Sequence, residues 1–167
     1  MMEFYSSETI DPANERSLHR LHRSITLSQG QFSLIFACCN STSCREKMLN
    51  YLPENVSNHI QKLVLHPYVS TLYTTIQETL EGNTPPALMV FGLDSVVELE
   101  KLLASTNFVR DNFRQDFPFP VVLWVNDEVM QKIIRLAPDF KNWAGSTIRF
   151  HIASEYASAP QLACQLA

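Results

Sequence analysis

Three features of the sequence predict a three-layer α/β domain, in which a mainly parallel sheet of about five strands carries helices on both faces. Short apolar runs lack the in-out alternation of a one-sided sheet, amphipathic segments alternate with those runs, and Pro, Gly or polar clusters separate the two. Strands that alternate with helices need right-handed crossovers, and crossovers make neighbouring strands parallel. The chain has 167 residues, 46% of them apolar, with 10 Phe, 5 Tyr and 2 Trp. That is enough to bury roughly two thirds of the unfolded chain's surface in one core, which excludes a disordered chain. No internal repeat at solenoid period is present.

Leu18, Leu21, Ile25 and Leu27 recur at helical spacing, with Asn14 as N-cap and Gly30 as stop. The other face of this helix carries Arg16, His19, Arg20, His22 and Arg23, which reads as a solvated face that can also meet an anion. Phe32 to Ala37 reads as a buried strand. Ser43 and Glu46 have capping-box spacing ahead of Met48, Leu49 and Leu52, and Pro53 ends that helix. Lys62 to Leu65 is the second strand, and Leu72, Ile76 and Leu80 form a helix stopped by Gly82. Ala87 to Phe91 is the third strand. Ser95 and Glu98 offer a second capping box for a helix with Val96, Leu99, Leu102 and Leu103 inward, continuing to Phe113. Val121 to Val125 is the fourth strand. Asn126 and Asp127 cap a helix that uses Val129, Ile133, Ile134 and Leu136, and Pro138 starts a short one ended by Gly145. Thr147 to Ile152 alternates as a last, edge-like strand. The expected organisation is a flexible leader over 1–13, the α/β domain over 14–152, and a tail or linker over 153–167.

With 13 basic against 17 acidic side chains, a net charge of −4 and a pI near 5.7, no general attraction for nucleic acid or anionic lipid is expected. No stretch approaches the ~20 apolar residues of a membrane span, and the first residues lack signal-peptide character, so a cytoplasmic protein without a membrane partner is expected. Cys38, Cys39, Cys44 and Cys164 show no C-x-x-C spacing and read as reduced thiols. A redox role for the adjacent Cys38 and Cys39 is the sharper alternative. His19 and His22 lack a third ligand nearby, so no metal site is expected. There is no G-x-S-x-G elbow and no receiver-type set of acids with a lysine.

In an open parallel sheet, ligands sit beyond the carboxyl ends of the strands, and three loops lie there. After the first strand, Cys38 to Ser43 stands where a phosphate-binding loop would wrap its backbone N–H groups around an anion, helped by glycines, a Lys and a Ser or Thr. Neither alignment of that motif supplies the lysine, and none of the 4 glycines falls in the loop. Asn40, Ser41, Thr42 and the helix N-terminus can still hold an anion weakly, although plain helix capping explains the same residues. After the third strand, Phe91 occupies the place of a magnesium-positioning acid. Asp94 is the only carboxylate there and reads mainly as a cap. After the fourth, Asn126 stands where a nucleotidase senses a terminal phosphate, but Asp127 and Glu128 beside it would repel phosphate and suit a helix start. The candidate nucleotide- or anion-binding set is therefore Asn40, Ser41, Thr42, Ser43, Arg45, Asp94 and Asn126, with no catalytic residue.

The order FSLIFACCN, ALMVFGLDSV and NFVRDNFRQDFPFPVVLWVNDEVMQKIIRLAPDFKNWAGSTIRF resembles the N-terminal P-loop NTPase-like domain of cyanobacterial signal-transduction ATPases of the AAA/NACHT type. The most specific stretch holds Asn107, Arg110 and Asp111, then Pro120, Leu123 and Trp124, then Ala137 to Phe140 with Trp143. The resemblance spans roughly 14–152. It implies a P-loop NTPase-like fold, and it implies ATP binding through a Gly-Lys-Ser/Thr loop and an acidic strand end written D-G-L-D-E. Here that second motif stands as Phe91-Gly92-Leu93-Asp94-Ser95, without its flanking acids. A catalytically inactive regulatory or protein-interaction module follows, with a protein partner or self-association and no required cofactor. The alternatives are weak ATP or ADP binding, with Arg45 or Arg110 in place of the lysine, and an enzyme that uses the thiols.

Overall fold

The computed structural model describes residues 10–152. Most of the expected leader and tail, including Cys164, lie outside the described residues. The elements run α1 (Pro12–Leu27), β1 (Ser33–Cys38), α2 (Thr42–Asn50), α3 (Glu54–Ser57), β2 (Ile60–Val64), α4 (Leu72–Leu80), β3 (Ala87–Phe91), a 3-10 turn at Leu93–Ser95, α5 (Leu99–Phe108), α6 (Arg110–Asp116), β4 (Pro120–Val125), α7 (Asp127–Leu136), α8 (Pro138–Lys141) and β5 (Ile148–Arg149). The strands form one sheet in the order β2-β3-β4-β1-β5, and every pairing is parallel.

Burial on both faces explains why the strands are apolar throughout. One face of β1, β3 and β4 presents Ile35, Ala37, Met89, Val122 and Trp124 to Leu21 and Ile25 of α1 and Met48 and Leu49 of α2. The other face presents Leu34, Phe36, Val90, Val121 and Leu123 to α4–α8. Phe113 of α6 anchors this second layer, with its ring 5.0 Å from Phe140, 5.5 Å from Phe117 and 5.7 Å from Tyr73. The three-layer expectation holds, with all strands parallel rather than most. No helix among the described residues is long and apolar enough to cross a membrane.

Several local expectations are corrected. Asp11, not Asn14, caps α1, its side chain accepting from the Ala13 N–H. The helix therefore includes Pro12 and Ala13, read from sequence as leader. Leu27 is 67% exposed, outside the core. Ser41 caps α2 by accepting from the Cys44 N–H, so the Ser43–Glu46 box is out of register. Asp94 and Ser95 sit in the 3-10 turn, and α5 starts at Leu99 with no side-chain cap bond. The helix expected to run on to Phe113 breaks at Val109. Ile134, expected inward, is 46% exposed. Strand β5 has 2 residues, because only Ile148 and Arg149 face β1 partners.

Asn14 has another role. It is 4% exposed, its Nδ2 donates to the His151 carbonyl at 2.8 Å, and its Oδ1 accepts from the His151 N–H at 2.8 Å. A buried amide that satisfies both backbone groups of one residue ties His151, just past β5, to α1. Replacing Asn14 by Ala removes both bonds from a buried site, so a loss of about 2–3 kcal/mol is expected in urea unfolding. A loss below about 0.5 kcal/mol would show that this clamp is not what holds the β5 end to α1.

Candidate functional site

The connection after β1 leads to α2 on one face of the sheet, and the connection after its neighbour β4 leads to α7 on the other. Neighbouring strands whose exits diverge in this way open a crevice at their carboxyl ends, the usual ligand position in such sheets. Asn40 follows β1 and Asn126 and Asp127 follow β4, so the fold brings the first and third sequence-predicted loops together there.

The crevice is bridged. Asn40 Nδ2 donates to Asp127 Oδ2 at 2.8 Å, and the Asp127 backbone N–H donates to Asn40 Oδ1 at 2.9 Å. Beneath this pair the Cys39 N–H donates to the Val125 carbonyl at 2.9 Å, carrying the ladder one residue past the strand ends. Arg149 of β5 donates to Asp127 Oδ1 at 2.7 Å, and the Cys38 thiol donates to the same oxygen at 3.3 Å. One carboxylate thus ties the ends of β1 and β5 to the start of α7. The Asn40 amide bond, then the Arg149 guanidinium and the Cys38 thiol, hold the Asp127 carboxyl below its usual range. Cys38 shifts the other way: burial first, then the Asp127 carboxylate, pushes its thiol up to about 12.

Only Cys39, Asn40 and Ser41 join β1 to α2. A phosphate-wrapping loop places four residues between its two glycines before Lys and Ser/Thr, and this turn has neither that length nor those glycines. Among the described residues the backbone is left-handed at Gly30, Glu81, Gly82 and Gly92, none of them in the turn. The Asn40 side chain bonds to Asp127, the Ser41 hydroxyl accepts from Cys44 N–H at 3.1 Å, and Phe91 stands at the end of β3.

The second loop is held by Gly92, whose φ is +91°. A Cβ there would lie 3.1 Å from the Leu65 carbonyl oxygen, so glycine serves both the turn and the close approach of the chain after β2. Asp94 is exposed at the crevice rim. Asn126 Oδ1 accepts from the Val129 N–H at 2.8 Å and caps α7, as the sequence predicts.

A polar pocket of about 40 Å³ remains beside the bridge. Asn40, Thr42, Arg45, Asp94 and Asn126 line it, together with Cys39, Trp124 and Val125. Of the sequence-predicted set, Ser41 is the α2 cap and Ser43 is an exposed residue of α2, and neither lines the pocket. Arg45 lies with its guanidinium carbon 4.8 Å from the Phe91 ring centroid. Arg110 is remote from this pocket: it donates to the Asn107 carbonyl at 2.7 Å, across the α5–α6 break, and does not replace a phosphate-binding lysine. Sequence reasoning missed Trp124 and the roles of Asp127 and Arg149. The polar strand ends were legible, but the adjacency of β1, β4 and β5 was not. No group of three or more His, Cys, Asp or Glu side chains able to hold a metal converges among the described residues. Cys38, Cys39 and Cys44 are free thiols.

No protein-family model matches the chain, and no curated protein matches it. Among solved structures, the chain is similar to the ADP form of the Aeropyrum pernix ORC2 protein, at 10% identity with a TM-score of 0.46, over 96% of this chain and 55% of that one. The chain thus spans about half the length of that protein.

Because burial and Asp127 both favour the neutral thiol, Cys38 is expected to alkylate far more slowly at pH 8 than an unfolded cysteine. Mass-spectrometric labelling rates check this, and modification of Cys38 as fast as in the denatured chain would contradict it. Replacing Asp127 by Ala is expected to cost about 1–2 kcal/mol, a modest figure because the pair is half exposed. The folded carboxyl titrates below its unfolded value. Its contribution is therefore complete above the ordinary carboxylate range and fades as pH falls through the lowered value. Wild type and variant should converge in stability at acid pH, and a gap that widens on acidification would refute the assignment.

Proposed function

We propose that this chain is a P-loop NTPase-like α/β module that does not turn over nucleotide and acts through contact with a protein partner, as a regulatory or interaction domain. The observation that carries this reading is the two-way bond between Asn40 and Asp127, which occupies the crevice where a nucleotide's phosphates would enter. The strand order, the divergent exits of β1 and β4, and the resemblance of the FGLDS and LWVND segments to nucleotide-binding strand ends support the P-loop-like part.

The residues account for the loss of chemistry. Phosphoryl transfer needs a cationic clamp on the terminal phosphates, a seat for magnesium and a group that orients the attacking water. The three-residue turn after β1 carries no lysine, Phe91 stands at the metal-binding strand end, and Asn126 spends its side-chain oxygen on the α7 cap. Each absent group would remove electrostatic stabilisation that the others do not replace. What the scaffold retains is a bridged crevice at the carboxyl ends of β1 and β4 with a small polar opening, which suits contact better than turnover.

The test is a thermal-shift titration with ATP and ADP, with and without magnesium, beside a phosphate-release assay. The expected result is no shift that grows with nucleotide concentration and no release above a protein-free blank. A saturable shift without release would favour a nucleotide-binding regulator, and release abolished by an Asn126→Ala substitution would overturn the proposal.

A further inference from the structure

The sheet ends differently at its two edges. Strand β5 pairs through 2 residues, whereas β2, at the other end of the strand order, holds all 5 of its residues in register against β3. The Leu65 N–H donates to the Phe91 carbonyl at 2.9 Å, and ladder groups alternate sides along a strand. The N–H and C=O of Lys62 and Val64 therefore face outward. They have no hydrogen-bond partner among the described residues.

This edge is also bare on one face. Leu63 and Leu65 turn into the α4–α8 layer, so Lys62 and Val64 lie on the opposite face, with Ile60. There their register neighbours Met89 and Phe91 are buried, but Lys62 is exposed and Val64 is 72% exposed. The α1 and α2 layer thus covers β3 on this face and stops short of the carboxyl half of β2. In the loops beyond, Tyr68 is 78% exposed, and Val97, whose N–H donates to the Pro67 carbonyl at 2.8 Å, is 63% exposed.

A full-length open edge with apolar side chains beside it is a template for one more strand. Lys62, the middle residue of β2, decides which strand fits. It has no ion-pair partner among the described residues. If two copies of this chain paired antiparallel about the middle of β2, Lys62 would meet its own counterpart, and like charges placed opposite each other resist pairing. An acid on a partner strand meets Lys62 favourably, and an apolar residue two places along covers Val64. We infer that the outer edge of β2 takes an extended segment of a partner protein as a sixth strand, with an acidic residue beside Lys62 and an apolar one beside Val64. The inference rests on the protein-contact reading above and places that contact.

The experiment titrates uniformly 15N-labelled protein with a capped heptapeptide of Thr that carries Val, Glu and Val at its second, fourth and sixth positions. A counterpart has Lys at the fourth. The Glu peptide is expected to shift the Lys62 and Val64 amide resonances saturably and to slow their hydrogen exchange, while those of Ile148 and Arg149 stay still. The Lys peptide should bind about threefold more weakly, the size of one cross-strand charge pair. Lys62→Glu, a change at an exposed position, should reverse that order. Two N-methylated forms of the Glu peptide, one methylated at its Val and Glu residues and one at the Thr residues between them, separate strand addition from side-chain contact. Only one edge of the peptide supplies the ladder, so one form is expected to bind and the other not. No saturable shift into the millimolar range, equal behaviour of the two methylated forms, or an order of affinities unchanged in Lys62→Glu would overturn the inference. Shifts at Lys62 and Val64 that follow protein concentration without peptide would assign the edge to a second copy and overturn it too. Silent peptides leave the non-hydrolysing reading standing, whereas phosphate release from nucleotide removes that reading without moving the Lys62 and Val64 resonances.

Discussion

The structure depends on a short circuit across the mouth of its own sheet. In an open parallel sheet the diverging exits of two neighbouring strands leave a crevice that must be filled with something polar, because backbone groups at the strand ends have run out of ladder partners. Here the filler is internal. Asn40 and Asp127 exchange two hydrogen bonds across the gap, and Arg149 and Cys38 converge on the same carboxylate. A side chain that serves as both donor and acceptor for the opposite loop leaves little for a ligand to compete for. The three-residue turn after β1 and the capped start of α7 set the two side chains opposite each other.

The rest of the scaffold frames that closure. Two apolar layers sandwich the sheet, and the aromatic cluster around Phe113 fixes the α4–α8 layer while Trp124 and its stacking partners fill the other near the crevice. The thiols belong to this packing. Cys38 is buried against Asp127 and held protonated, which gives it the chemistry of a small apolar residue with one weak donor.

Elements set by local pattern were legible in the sequence, and those set by distant partners were not. Ala87–Phe91 matches its expected bounds because a continuous apolar run sits between Pro86 and Gly92, two residues that end a strand by their own backbone preferences. Asn126 as the cap of α7 was equally local. The α2 cap went astray because Ser41, Thr42 and Ser43 stand in a row and spacing alone does not choose among them. Asn14 was misread as a cap because its partner, His151, lies at the other end of the described chain. At the site, the polar strand ends and Arg45 were visible as candidates. Their closure into a bridge depends on the order of strands in the sheet and on which face each side chain takes.

The most direct test of the closed crevice is native-state hydrogen exchange at the Asp127 backbone amide, whose N–H is donated to Asn40 Oδ1. If the bridge is a standing feature, that amide is protected in the free protein, loses its protection in an Asn40→Ala variant, and is unchanged by magnesium ATP. An Asp127 amide that exchanges freely in the unliganded protein and becomes protected only when the nucleotide is added would mean the crevice is open and waiting for its ligand.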